Sequence, residues 1–120
     1  LAKKEPNTVF LGDFNIAHKE IDIASPKENA KTSGFLPHER AWLDRFQTAG
    51  FVDVTRKLAP EQKDLYTWWS QRSGAWARNV GWRIDYHWAT PALAGRAKSF
   101  TVDREHRGSD HAPLMLRYSF

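Results

Sequence analysis

The alternation of apolar and polar positions divides the chain into several short strands and one amphipathic helix. Thr8-Val9-Phe10-Leu11 is an apolar, partly β-branched run that stops at Gly12. It predicts a buried strand ending in a tight turn, with the polar residues after it at the strand's carboxyl end. Over residues 17–34, charges, Pro26 and small residues follow one another without a period, which predicts a long ordered loop. Pro37 suits a first helical turn and Glu39 sets a carboxylate near its positive end. Trp42, Leu43, Phe46 and Ala49 then recur at helical spacing until Gly50 closes the helix. Leu36 offers no capping oxygen at its start.

Residues 51–55 and 66–70 read as strands. In segment 83–88, apolar Ile84, Tyr86 and Trp88 alternate with polar Arg83, Asp85 and His87, so one strand face packs and the other carries chemistry. Residues 99–103 make a further strand. Leu114, Leu116 and Tyr118 alternate with Met115, Arg117 and Ser119 in a last one, after a polar turn over 108–113. No internal repeat or linker interrupts the pattern. The expectation is a single α/β domain over residues 1–120, with strands pairing antiparallel and at least one helix covering a face.

Composition narrows the classes. A chain of 120 residues with 41% hydrophobic and 27% charged positions fits one globular domain. No run of the sequence approaches the roughly 20 apolar residues of a membrane span. The first ten residues lack an apolar stretch followed by a small-residue cleavage site. The absence of Cys excludes disulfides and thiolate metal sites, so any catalytic metal must be held by oxygen or imidazole. Together these features predict a cytoplasmic protein without a membrane partner. Eighteen Lys and Arg against fourteen Asp and Glu give a net charge of +4, which alone says little about partners. Its placement says more. Between Asp64 and Asp85 there is no acidic residue, while Arg72, Arg78 and Arg83 are interleaved with Trp68, Trp69, Trp76 and Trp82. Cations for phosphate and flat apolar faces for sugar or base share one segment.

Three polar clusters stand at strand ends: Gly12-Asp13-Phe14-Asn15, Asp85, and Gly108-Ser109-Asp110-His111. Phosphodiester hydrolysis needs a base for water, a proton source for the leaving oxygen, and positive charge or donors around phosphorus. Asp13 can orient and deprotonate water, Asn15 can donate its amide to a phosphoryl oxygen, and Asp110 can hold a hard divalent cation. Asp85 and His111 form a natural carboxylate–imidazole pair, which favours the imidazolium beside phosphate. Each feature has a plainer reading. An Asp after Gly at a strand end commonly forms a turn, tryptophans commonly fill cores, and His18, His38, His87 and His106 read as surface or strand-face residues without a role. The co-occurrence of complementary clusters around a basic aromatic segment favours the chemical reading.

Several motifs together resemble the exonuclease III family of apurinic/apyrimidinic endonucleases, within the endonuclease/exonuclease/phosphatase superfamily. They are Gly12-Asp13-Phe14-Asn15-Ile16-Ala17-His18, Ile21-Asp22, Pro26-Lys27-Glu28-Asn29, Gly34-Phe35, Glu39-Arg40-Ala41-Trp42 and Tyr66-Thr67-Trp68-Trp69-Ser70. With them stand Asn79-Val80-Gly81-Trp82-Arg83-Ile84-Asp85-Tyr86 and Gly108-Ser109-Asp110-His111-Ala112-Pro113. The Gly-Asp-Phe-Asn and Ser-Asp-His pieces resemble the wider superfamily, including deoxyribonuclease I. The run from Asn79 to Tyr86 resembles its DNA-repair branch.

The resemblance implies half of a four-layer α/β sandwich of the deoxyribonuclease I-like type, a largely antiparallel mixed sheet covered by helix. It implies Mg²⁺- or Mn²⁺-dependent cleavage of duplex DNA 5′ to abasic sites, with 3′-to-5′ exonuclease and 3′-phosphatase activity. By the same likeness Asp13 is the water-activating or proton-transferring aspartate and Asn15 the phosphate contact. Asp85 orients His111, and Asp110 is associated with metal. Trp68, Trp82 and Ile84 match an apolar pocket for a flipped-out, base-free sugar, which excludes nucleobases by size. Arg72 falls beside the flipped-out site and Asn29 in a DNA-contacting loop, while Arg78 belongs with Arg72 to the basic aromatic segment between Asp64 and Asp85. Thr32-Ser33-Gly34-Phe35 stands where relatives read Asn-Ala-Gly-Phe, which removes one amide donor.

Complete members of the family are about twice this length, so the chain corresponds to the carboxyl-terminal half. The expected partners are the missing amino-terminal half, which carries the principal Mg²⁺ ligand, or a second copy of the chain. Without one of them, an apolar face carrying Val9, Leu11, Leu114 and Leu116 is expected to be open. Two other readings remain: a non-catalytic DNA-binding module built on the arginines and tryptophans, and a phosphatase or phospholipase of the wider superfamily.

Overall fold

A computed structural model describes residues 6–106 and 108–120. Its central sheet is three strands in the order β1–β5–β2, all antiparallel: β1 (Val9–Asp13), β5 (Asp85–Ala89) and β2 (Val52–Asp53). The register sets Val9 opposite Ala89 and Asp13 opposite Asp85. Two carboxylates therefore meet at the end of the β1–β5 pair.

The helix α1 (Pro37–Thr48) covers one face of this sheet, burying Leu43 against Ile16, Phe51, Tyr86 and Trp88, with Phe14 and Phe46 at the margin. Phe46 meets Trp88 and Phe14 edge-on, with ring centroids 5.6 and 5.8 Å apart. Fully burying each large apolar side chain contributes roughly 1.5–3 kcal/mol, so this cluster holds helix to sheet. Leu36 provides no cap. Glu39 reaches back instead, its Oε1 accepting the backbone N–H of Gly34 at 2.8 Å and of Leu36 at 3.0 Å.

The strand expected over 51–55 is cut short. After β2, the Asp53 side chain accepts the N–H of Arg56 at 3.2 Å and starts α2 (Val54–Leu58). An N-cap carboxylate outweighs the β propensity of Val54 and Thr55. The strand expected over 66–70 reduces to β3 (Trp68–Trp69), paired with β4 (Gly81–Trp82), and α3 (Ala75–Arg78) lies between them. Past β5, α4 (Pro91–Ala94) leads to β6 (Ala97–Val102), which pairs with β7 (Leu114–Tyr118). Loop 17–34 is ordered as expected and contains a 3₁₀ turn at Glu20–Asp22.

Arg83 departs from its expected place on the polar strand face. It precedes β5 and is 1% exposed. Its Nε bonds Asp22 Oδ1 at 2.8 Å and its Nη2 bonds Asp53 Oδ2 at 2.6 Å, while Arg56 reaches the same Asp22 oxygen at 2.6 Å. A guanidinium neutralised by two buried carboxylates is unavailable to phosphate, so the exposed cations of the basic segment are Arg72 and Arg78. Burial acts to raise the Asp22 pKa, but the charges and hydrogen bonds of Arg83 and Arg56 outweigh it and hold the carboxyl below its ordinary value.

The open apolar face is smaller than expected. Val9 and Leu116 pack against a second cluster of Val54, Ala89, Leu93, Ala94 and Ala97, and Leu114 is half-buried. Leu11 remains 62% exposed. Among the described residues no helix is long and apolar enough to cross a membrane.

Candidate active site

The ends of β1 and β5 bring Asp13 and Asp85 side by side, a repulsive arrangement unless a cation stands between them. The His111 ring stands between them. The backbone of His111 bridges to Trp68 of β3, and Ser109 Oγ accepts its N–H at 2.9 Å. Its Nδ1 lies 2.9 Å from Asp85 Oδ2, and its Nε2 lies 3.7 Å from Asp13 Oδ2. Burial by itself would lower the imidazole pKa. The hydrogen bond and charge of Asp85, then the charges of Asp13 and Asp110, overcome it and raise the pKa above its ordinary value.

Asn15 follows in the left-handed region at φ 58°, which Asn tolerates better than most residues. Its backbone N–H donates to Asp13 Oδ1 at 2.7 Å. With its NH₂ facing Asp13, the carboxamide donates to Oδ2 at 3.1 Å. Asp13 is thus held by donors from Asn15 on one side and faces the His111 imidazole on the other.

Asp110 is exposed, and its Oδ2 accepts the indole N–H of Trp68 at 2.9 Å. That hydrogen bond is the main cause of its lowered pKa. Asp13, Asp85 and His111 each place one potential ligand atom within 4.8 Å of the others. However, the Asp85 oxygen and His111 Nδ1 are already engaged with each other. The exposed carboxylate of Asp110 lies outside that group and suits a hard cation in donor type. One carboxylate falls far short of a full shell, which Mg²⁺ completes with further carboxylate or phosphate oxygens and water.

Trp68 and Trp82 face each other across β3 and β4, centroids 6.1 Å apart and planes at 84°. Both are partly exposed and pack on Ile84, Phe35, Ile23 and Ala17. The three residues expected to form an apolar pocket therefore adjoin one another, and Trp68 links them to Asp110. Gly34 is required there: its φ is 99°, and a Cβ would come within 2.8 Å of the Trp82 ring. A cleft of about 400 Å³ opens at Asp85 and His111, bordered by Leu11, His87 and Leu114. A second of about 560 Å³ runs from His111 and Asp110 along Trp69 and Trp76.

Arg72 and Arg78 are exposed on the segment joining β3 to β4, with Arg78 Nε donating to Ser73 O at 3.1 Å. Asn29 is not drawn to this centre by any bond of its amide, which closes a turn by donating to Ser25 O at 2.9 Å. His18, read as a surface or strand-face residue, is instead 2% exposed, with Nε2 2.7 Å from Asp44 Oδ1. Burial dominates and lowers its pKa. One residue beside the site stood in a quoted motif without a role of its own: Thr67, a fully buried polar residue between aromatics.

Residues 1–111 match the model of the endonuclease/exonuclease/phosphatase family. The chain belongs to that family. It is 42% identical over 116 residues to an exodeoxyribonuclease of Bacillus subtilis, covering 97% of this chain and 46% of that protein. It is also 42% identical over 108 residues to the DNA repair nuclease APEX1 of Danio rerio, covering 90% of this chain and 35% of that one. Among solved structures, an AP endonuclease from Archaeoglobus fulgidus superposes with a TM-score of 0.89 at 34% identity, over 95% of this chain and 46% of that one. The 3′ phosphatase NExo from Neisseria, bound to a product DNA hairpin, superposes with a TM-score of 0.90 at 31% identity, over 99% of this chain and 49% of that one. The chain thus spans about half or less of the length of these relatives, and its α/β layers are those of their fold.

Proposed function

We propose that the chain is the carboxyl-terminal half of a DNA-repair phosphodiesterase that hydrolyses the phosphodiester 5′ to an abasic site, with 3′-to-5′ exonuclease activity in the complete protein. The observation that carries this reading is the line Asp85–His111–Asp13, with Asn15 beside it, at the joined ends of β1 and β5. Asp13 takes a proton from the attacking water, whose oxygen bonds to phosphorus. The bond from phosphorus to the 3′ oxygen of the preceding nucleotide breaks in line, and that oxygen leaves as a hydroxyl after protonation. His111, whose pKa Asp85 raises, faces the phosphoryl oxygens with the Asn15 amide and in its protonated form offsets their developing charge. A divalent cation such as Mg²⁺ or Mn²⁺, held by Asp110 with oxygens from the other half, supplies further positive charge when bound.

Trp68, Trp82 and Ile84 receive the base-free sugar. The two indoles are half-buried, meet edge-to-face and pack on Ile84 outside both clefts, so they offer the sugar an apolar surface, and an abasic residue unstacks at the least cost. Arg72 and Arg78 contact the DNA backbone, and Asn29 lines the approach. The relatives named as DNA nucleases, and the neighbour bound to a DNA hairpin, support DNA over a lipid or inositol phosphate as substrate.

The test uses the full-length protein that carries this chain. Asp13→Asn lowers turnover on an abasic duplex by on the order of 10²–10⁴-fold while leaving duplex affinity within about threefold, since the variant loses a base and keeps the surface. Unchanged turnover removes Asp13 from this role.

A further inference from the structure

We propose that Thr67 is the positioning residue that sets the Asp85–His111 pair, an inference that rests on the reading of that pair as part of a hydrolytic centre. Ile84 lies between β4 and β5 and Asp85 opens β5, and the N–H groups of both turn to a side chain. Both donate to one atom, Thr67 Oγ1, at 3.0 and 3.2 Å. From the other side, the carbonyl of Thr67 accepts the N–H of Ala112, the residue after His111, at 2.8 Å. The N–H of Thr67 itself donates to Trp82 O at 2.9 Å. Thr67 is 0% exposed; its bond from Ile84 is buried and its bond from Asp85 part-buried.

One residue thus anchors the backbone that presents the carboxylate and the backbone that presents the imidazole. Their 2.9 Å contact is fixed at both ends through Thr67. The two neighbours in sequence extend the same anchor: Trp68 Nε1 holds Asp110, and Trp69 N–H donates to the carbonyl of Asp110 at 3.3 Å. Thr67→Val keeps the shape and removes the acceptor of one buried and one part-buried N–H group. Asp85 must then shift or draw in water. A serine keeps the acceptor.

The experiment compares Thr67→Val and Thr67→Ser in the full-length protein that carries this chain. For Thr67→Val, kcat on an abasic duplex falls on the order of 10- to 100-fold, as misplacement of a catalytic group does, with KM within about twofold. Thr67→Ser stays within about threefold of the parent. An equal loss in both variants, or an unchanged kcat in Thr67→Val, overturns the assignment. A readout independent of catalysis accompanies these. The amide protons of Ile84 and Asp85 and the Nδ1 proton of His111 resist solvent exchange in the parent and in Thr67→Ser. In Thr67→Val all three lose that protection, and retention of the His111 proton there overturns the assignment even if no variant is active. If Thr67→Val does not fold, Thr67→Ser alone decides, and loss of its amide protection counts against the proposal. Failure of the parent to cut the duplex, with the protection pattern intact, counts against the functional reading and leaves the positioning role standing.

Discussion

Arg83 shows how far one buried charge can determine a local structure. Its guanidinium joins Asp22 of the 17–34 loop to Asp53 at the start of α2, and all three groups are nearly inaccessible. Arg83→Met fills similar space but strands two carboxylates, so it is expected to destabilise the chain by about 3–5 kcal/mol in urea unfolding. A loss below about 1 kcal/mol would mean that the network is not closed as described. Asp22 adds a pH dependence. Its folded pKa is depressed, so its stabilisation is complete above the unfolded carboxyl value near pH ~4 and fades as pH falls from there through the folded pKa. Asp22→Asn therefore flattens the stability curve below pH ~4, and acid titration of unfolding free energy in the two proteins checks it. Identical acid limbs would contradict the assignment. None of this was legible in the sequence, because alternation placed Arg83 on an open face and its partners lie 61 and 30 positions away.

At the scale of elements, α1 depends on Glu39 in place of a capping residue. Glu39→Ala leaves two backbone N–H groups unpaired and is expected to cost about 1–3 kcal/mol, read from thermal unfolding. Because one of those groups belongs to Gly34, the variant also loosens the segment against which Trp82 rests. Gly34→Ala acts on the same place by strain and overlap. It is expected to weaken discrimination for abasic over intact duplex while sparing Asp13 and His111, and unchanged discrimination would detach Trp82 from the pocket. The limits of α1 and β7 were readable from the pattern, since each keeps one period and is bounded by Gly or a polar turn, whereas β1, read as a buried strand stopping at Gly12, runs through it to Asp13 and is largely exposed. The limits of β2 and α2 were not. Val54 and Thr55 favour a strand on propensity, and Asp53 overrides them only because its carboxylate meets the Arg56 N–H. The polar site residues were legible because each stands next to a strand end. Thr67 was not, because its role comes from three backbone segments that only the fold assembles.

On the scale of the molecule, the face of the β1–β5 pair opposite α1 carries Asp13, Asp85 and exposed Leu11 together. Under the proposed function the other half of the protein closes over this face, supplying oxygens for the cation and cover for Leu11. Leu11→Glu is expected to impair assembly with that half, detected as loss of the joined species in sedimentation, while leaving the chain's own unfolding curve nearly unchanged. Assembly unaffected by Leu11→Glu would move the contact elsewhere. The central claim is that the Asp13, Asn15, Asp85 and His111 cluster hydrolyses DNA beside an abasic site. It is tested most directly by incubating the full-length protein with a labelled duplex holding one abasic residue, with Mg²⁺ present. With the duplex 3′ ends blocked, the account predicts a first incision on the 5′ side of the abasic residue leaving a 3′ hydroxyl, from which the exonuclease activity then trims. Both are abolished in His111→Ala and Asp13→Asn, and the incision is absent from the intact duplex. Equal incision by parent and His111→Ala proteins would contradict it.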